Sequence, residues 1–215
     1  MQLQIEVFTF NAFQENSYVL WDEDKTAVII DPGCYSKNEK DELRTFIEAE
    51  ELNVVALLNT HAHIDHVLGN AFVKSTFNVP YYLHADDLKV LKSVEGYAHL
   101  YGFEGYELSP EPDFFLEDNQ TLTFGKMVFQ VMHTPGHAPG HVVFYHKESG
   151  VVINGDVLFR GSFGRVDLPG GNIETLKTSI FNRLFTLPDA TQVYCGHGPS
   201  TTIGIEKKTN YILQF

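Results

Sequence analysis

The segment His61-Ala62-His63-Ile64-Asp65-His66 packs three imidazoles and a carboxylate into six residues, just after the apolar run Val54-Val55-Ala56-Leu57-Leu58. That run reads as a buried strand, so the polar cluster begins where a strand ends. On extended or turning backbone, side chains two positions apart project the same way, and His61 and His63 can reach one cation. Asp65 and His66 then point elsewhere, and a second cation beside the first accommodates them. Histidines bunched with an acid and lacking a basic neighbour read as a ligand cluster rather than as an ordinary solvated loop.

The rest of the chain sets the bounds on this reading. Its 215 residues, 43% hydrophobic and 20% charged, suit a globular protein with a substantial core, expected as one domain over residues 1–215. With 15 basic against 28 acidic residues the formal charge is −13, which argues against nucleic acid and anionic membranes and leaves a small-molecule substrate as the expected partner. Residues 1–7 alternate like a strand and lack the basic start and apolar segment of a signal peptide. No apolar run approaches a membrane span, and two cysteines, Cys34 and Cys195, make a poor disulfide framework. A reducing cytoplasm is the expected location. Oligomeric state has no signature in the sequence.

Strand-like runs at 4–9, 17–21 and 27–31, broken by Asn, Asp and Glu turns, predict an antiparallel meander. Ser36-Lys37-Asn38-Glu39 reads as a capping box opening a helix with Leu43, Phe46 and Ile47 on one face. After the histidine cluster the pattern predicts a helix over 68–77, a strand over 80–84 and a helix over 85–91. Residues 93–113 break into Gly, Tyr, Pro and Glu and read as a long aromatic loop, either a cover or a binding edge. Strands follow at 120–124, 127–132, 142–145 and 151–154, then a helix over 173–184 capped by Asn172, and a closing strand at 191–195. Strands and helix, then strands and helix again, fit two packed sheets with helices outside.

Three more strand ends carry ligand-competent side chains beside glycine: Thr134-Pro135-Gly136-His137, Asn154-Gly155-Asp156 and Gly196-His197-Gly198-Pro199. Singly each is an ordinary turn; with the cluster at 61–66 they form one constellation. In this order they resemble the metal-binding pattern of the metallo-β-lactamase superfamily, across nearly the whole chain. The stretches Gly155-Asp156-Val157-Leu158-Phe159, Gly161-Ser162-Phe163-Gly164-Arg165-Val166-Asp167 and Gly196-His197-Gly198-Pro199 are similar to its short, glyoxalase II-like (hydroxyacylglutathione hydrolase-like) hydrolases. The resemblance implies an α/β fold, a four-layer αβ/βα sandwich of two mixed β-sheets flanked by helices, with a two-metal site at one edge.

It also implies roles for residues. His61, His63 and His137 would hold a first divalent ion, Asp65, His66 and His197 a second, and Asp156 would bridge them. Zinc is the expected metal, and iron and manganese also suit an N- and O-rich site. Asp65 and Asp156 are the carboxylates expected at the chemistry, where a hydroxide bridging the ions would attack a small thioester. No protein nucleophile is then needed, in keeping with the lack of a Gly-x-Ser-x-Gly elbow. Asp31 resembles the family's supporting carboxylate and is expected to orient a ligand imidazole, with a plain Asp-Pro-Gly turn as its alternative. His141 stands where many relatives carry a small hydroxyl residue, and either supports the site from behind or is structural. Arg165 is either an anchor for an anionic substrate or the ion-pair partner of Asp167, and Phe163, Tyr97 and Tyr101 are candidate pocket walls. His84 and His133 read as strand-end residues, and His99 and His146 as surface ones.

Two rivals stay open at this stage. A mononuclear-iron persulfide dioxygenase would need His61, His137 and Asp156, and the signature of a non-catalytic metal-stabilised interaction module would be missing ligands, whereas every expected position is filled. Classical glyoxalase II enzymes add a C-terminal helical region that helps bind glutathione. This sequence ends at Phe215, so the identity of the thiol is left open.

Overall fold

The computed structural model describes residues 3–215; Met1 and Gln2, the start of the expected N-terminal alternation, lie outside the described residues. The first half forms strands β1 (Gln4–Phe10), β2 (Glu15–Trp21), β3 (Thr26–Ile30), β4 (Asn53–Leu58), β5 (Tyr81–His84) and β6 (Phe114–Leu116), side by side in that order in one sheet. β1, β2 and β3 make the expected antiparallel meander, whereas β3 to β6 pair in parallel and need crossovers. Helix α1 (Lys37–Ala49) supplies the first crossover. It starts at the capping box, where Ser36 Oγ accepts the Glu39 N–H and the Glu39 carboxylate accepts the Ser36 N–H. α2 (Ile64–Val67) and α3 (Asn70–Phe77) connect β4 to β5, and α4 (Leu88–Tyr97) lies between β5 and β6.

The second half repeats the plan with β7 (Thr121–Phe124), β8 (Met127–His133), β9 (Val142–His146), β10 (Val151–Gly155), the small ribbon β11 (Leu158–Phe159) and β12 (Ser162–Phe163), α5 (Ile173–Asn182), β13 (Gln192–Cys195), β14 (Thr201–Thr202) and α6 (Ile203–Thr209). The second sheet runs β14-β13-β10-β9-β8-β7, with β10 and β13 parallel and the other pairs antiparallel. Both sheets are therefore mixed.

Alternation along the strands explains the layers. In β2, β3 and β9, Tyr18, Leu20, Val28, Ile30, Val142 and Phe144 fill the space between the sheets. The intervening Val19, Ala27 and Ile29 face α1, α3 and α4, and Val143 and Tyr145 face α5 and α6. Strands covered on both faces read as continuous apolar runs, which is what the sequence shows. Each of the valine, leucine, isoleucine and phenylalanine side chains withdrawn from water contributes about 1.5–3 kcal/mol. The result is the expected αβ/βα sandwich.

The structure departs from the sequence reading at several points. The helix expected over 85–91 runs on through Tyr97 and a 3-10 turn, Ala98–Tyr101, shortening the expected 93–113 loop. Leu91, Val94 and Ala98 keep the helical spacing and are buried, and Gly102 at φ +83° ends the run. The helix expected over 68–77 starts two residues later, as α3 from Asn70, and a separate single turn that the sequence did not predict, α2, lies inside the histidine segment. The strand at 191–195 does not close the sheet, because β14 pairs outside it. His146, expected at the surface, is buried at the end of β9 against Phe129, ring centroids 5.4 Å apart. Cys34 and Cys195 are both free and buried. No helix of the described residues is long and apolar enough to cross a membrane.

Phe144, fully buried between the sheets, tests the central layer. Phe144→Ala should cost about 3–5 kcal/mol, read as a lower urea midpoint with an unchanged m-value.

Candidate metal centre

Each candidate ligand stands where a strand has just ended. Asp31 follows β3, the segment with His61 and His63 follows β4, and Asp65 and His66 occupy α2. His137 lies in the loop after β8, Asp156 follows β10 and His197 follows β13. These are all carboxyl ends of strands, the edge at which α/β folds assemble ligand sites. Backbone bonds from Val142 N–H to Thr60 O (2.8 Å) and from Asn16 N–H to Gly196 O (2.7 Å) fasten the edges of the two sheets together.

The imidazoles converge. The His61 ring centroid lies 4.8 Å from that of His63, 4.1 Å from His66 and 4.9 Å from His137. Two groups of donor atoms result, His61, His63 and His137 in one and Asp65, His66 and His197 in the other, each gathered within 4.8 Å. Asp156 lies between the groups: Oδ2 is 3.6 Å from His137 Nε2 and 3.5 Å from His197 Nε2, and Oδ1 is 3.5 Å from His66 Nε2. Glycine is required at 196, because a Cβ there would lie 2.1 Å from Asp156 Oδ1 and 2.8 Å from His66 Cε1.

The backs of the rings are tied to oxygen. His137 Nδ1–H donates to Arg165 O (2.7 Å), His197 Nδ1–H to Phe13 O (3.2 Å), and His66 Nδ1–H to Asp31 Oδ2 (3.1 Å). Thr60 Oγ1 donates to Asp31 Oδ2 (2.6 Å) and accepts from His61 Nδ1–H (3.0 Å). In each ring the opposite nitrogen faces the middle of the site, where a metal-binding histidine offers its lone pair once that nitrogen is deprotonated. His61 Nε2, His66 Nε2 and Asp156 Oδ1 are buried without a hydrogen-bond partner, and His63 Nδ1 faces His137 Nε2 at 2.8 Å. Orphaned buried polar atoms of this kind are costly on their own and fit bound cations.

A profile of the Metallo-beta-lactamase superfamily matches residues 10–197. The chain belongs to that superfamily. Membership implies divalent-metal binding by His and Asp clusters. Hydroxyacylglutathione hydrolase GloC of Haemophilus influenzae is 37% identical over 212 residues, 98% of each chain. Among solved structures, the BLEG-1 B3 metallo-beta-lactamase matches with a TM-score of 0.89 at 40% identity, covering 99% of this chain and 100% of that one. TTHA1623 in a di-iron-bound form matches at 0.85 and 40% identity, covering 96% and 98%.

The candidate site opens into a cleft of 1150 Å³ walled by Phe13, Tyr97, Tyr101 and Phe163. Tyr97, Tyr101 and Phe163 thus stand where the sequence expects pocket walls; Phe13, on the β1–β2 turn, carried no local signal. Arg165 lines the cleft but forms a two-pronged ion pair with Asp167, both bonds 2.7 Å, while its carbonyl orients His137. His141 is buried, stacks on His61 at 4.7 Å and accepts the Asp156 N–H through Nε2 (3.0 Å). Glu15, which the sequence did not mark, is buried with Oε1 3.7 Å from His66 Nδ1. His84 and His133 do end β5 and β8 and stack at 4.2 Å beside Asp86. Their planes differ by 9°, so the in-plane lone pairs run alongside each other rather than toward one ion.

Electrostatics separate the two ligand groups. Burial, then the neighbouring imidazoles, push His61 well below the usual histidine range and His63 down to about 3. For His197 burial opposes the charged form, but hydrogen bonds to Asp156 and Asp65 outweigh it and raise the pKa to about 10. His66 is likewise raised well above the usual value, with Asp156 and Asp65 overcoming burial. At pH 6 to 8 an ion entering the His61, His63 and His137 group displaces no proton from His61 or His63, whereas one entering beside His66 and His197 must displace theirs. Zn²⁺ titrations of metal-free protein should accordingly show one equivalent nearly independent of pH. The other should tighten at least about tenfold per unit as pH rises toward 10, and equal slopes for both would contradict the assignment.

Proposed function

We propose that this metal-dependent hydrolase cleaves small thioesters, with His61, His63 and His137 holding one divalent ion, Asp65, His66 and His197 a second, and Asp156 shared between them. The observation that carries the reading is the position of the Asp156 carboxylate, within 3.6 Å of a ligand nitrogen from each group, at the inner end of an aromatic-walled cleft. When bound, the ions would supply an acidified water as nucleophile and polarise the acyl carbonyl.

The chain's own groups do the remaining work. His141 and Gly196 keep the Asp156 loop in place, one by accepting its N–H and the other by leaving room for its carboxylate. Asp31, Thr60, Arg165 O and Phe13 O hold the ligand rings in the tautomer that presents a lone pair inward. Phe13, Tyr97, Tyr101 and Phe163 exclude water and offer apolar contact to a thiol carrier. A thiolate leaves without needing a proton, so the cleft has no need of a dedicated acid for the leaving group. The name of the Haemophilus relative, 37% identical, supports a hydroxyacyl thioester. The persulfide dioxygenase alternative would use His61, His137 and Asp156 and leave Asp65, His66 and His197 without a task. A non-catalytic module would have no use for so large a cleft beside the ligands.

The test is a hydrolysis panel followed by thiol release: S-2-hydroxyacylglutathione, acetyl esters of smaller thiols, and a cephalosporin, since one 40%-identical structure is a B3 metallo-beta-lactamase. Turnover of a thioester is expected, with loss on chelation and recovery on adding Zn²⁺, Fe²⁺ or Mn²⁺. Asp156→Ala should lower kcat/KM by a factor of about 10³ or more and reduce bound metal. Full activity in that variant, or turnover of the cephalosporin alone, would overturn the thioester reading.

A further inference from the structure

Asp87 ends the 3-10 turn Ala85–Asp87 that leads from β5 into α4, and its side chain is fully buried. One carboxylate oxygen, Oδ2, accepts the backbone N–H of Ala62 at 2.7 Å, and the other, Oδ1, accepts that of Gly140 at 2.6 Å. Ala62 stands between His61 and His63, and Gly140 belongs to the loop that starts after β8 and carries His137 and His141. Among the described residues, no other side chain bonds the backbone of both segments. The fit is close, because a Cβ on Gly140 would lie 2.6 Å from Asp87 N and 3.0 Å from Asp87 Cβ.

All three side chains of the first ligand group therefore hang from two loops that one carboxylate fastens together. The second group is held by other means. His66 is bonded by Asp31, His197 by Phe13 O, and the Asp65 carbonyl by Asn11 Nδ2 (3.1 Å). We propose that Asp87 is a positioning residue for the ion held by His61, His63 and His137, setting the separation of the two loops, with little influence on the ion held by Asp65, His66 and His197. The inference rests on the two-ion reading above.

A carboxylate suits this task because it only accepts, and both groups facing it are donors. An asparagine keeps the volume but turns an N–H₂ toward one of the two N–H groups, so one loop loses its tether and meets a repulsive contact. A glutamate keeps the charge, and its extra methylene takes the carboxylate out of register with one or both donors. Ligand sites tolerate displacements of only about 0.5 Å before affinity suffers.

The experiment titrates metal-free full-length protein with Zn²⁺ against a chromophoric chelator, for the wild type, Asp87→Asn and Asp87→Glu. His63→Ala serves to mark which equivalent belongs to the first group. In Asp87→Asn the marked equivalent should weaken about 10–100-fold while the other stays within about threefold. Thermal unfolding of the metal-free forms is followed in parallel, since a general loosening would lower the melting temperature and weaken both equivalents by the same factor. That outcome, or two unchanged affinities, overturns the proposal. Should Asp87→Asn not fold, Asp87→Glu decides: the same selective loss supports the role, and wild-type binding of both ions rejects it. A wild-type protein that binds no Zn²⁺ would remove the two-ion reading and this inference together, whereas two ions in the wild type with no selective loss removes the inference alone.

Discussion

The Asp31 carboxylate, buried at the end of β3, receives hydrogen bonds from Asn59 Nδ2 (3.1 Å), Thr60 N (2.7 Å), Thr60 Oγ1 (2.6 Å) and His66 Nδ1 (3.1 Å). Each donor belongs to the segment leaving β4 or to the turn that follows it. One anion thereby fixes where that segment goes, which face of His66 turns inward, and, through Thr60, the tautomer of His61. Burying a carboxylate without a strong base beside it is unfavourable unless donors surround it, and here the donors are the groups that need placing. Asp31 sits at φ +50°, a conformation that Asp tolerates better than most residues and that Pro32 and Gly33 continue as a turn. The sheet edge, the loop and two candidate metal ligands thus depend on a single buried acceptor.

The repeated plan of the fold accounts for the rest. β3 and β4 in one sheet and β8, β10 and β13 in the other end on the same side, so loops far apart in sequence meet there. Packing between the sheets, through Leu20, Ile30, Phe129 and Phe144, holds these loop anchors at fixed separation. Local bonds of the kind made by Asp31, Arg165 O and Asp87 then set the final tenths of an ångström. Core packing determines which residues meet, and buried hydrogen bonds determine how accurately.

Much of this was legible in the sequence because the informative residues are chemically distinctive and stand at strand ends beside turn formers. His61 to His66, His137, Asp156 and His197 each follow an apolar run, and together they point to one edge. The layers follow from apolar runs such as 54–58 and 142–145. What could not be read is what tertiary contact alone decides. Asp87 looks like any acid at a helix start, and its partners lie 25 and 53 residues away. Glu15 carries no local signal, and its place behind His66 comes from its pairing with Phe10 of β1 and its bridge to His197. The continuation of α4 was hidden by Gly96 and by the tyrosines, whose helical spacing counts only once Leu91, Val94 and Ala98 are known to share a face. After His197 the elements are too short for a periodicity to register, although Thr202 caps α6 and Ile203 and Ile212 are buried.

Both thiols of the chain, Cys34 and Cys195, lie out of reach of solvent, and burial raises them, the latter to about 12. Disulfide exchange proceeds through an accessible thiolate, and this molecule offers none. Disulfides present in an oxidising milieu thus find no protein thiolate to exchange with, and mixed-disulfide formation does not compete with whatever chemistry the cleft performs.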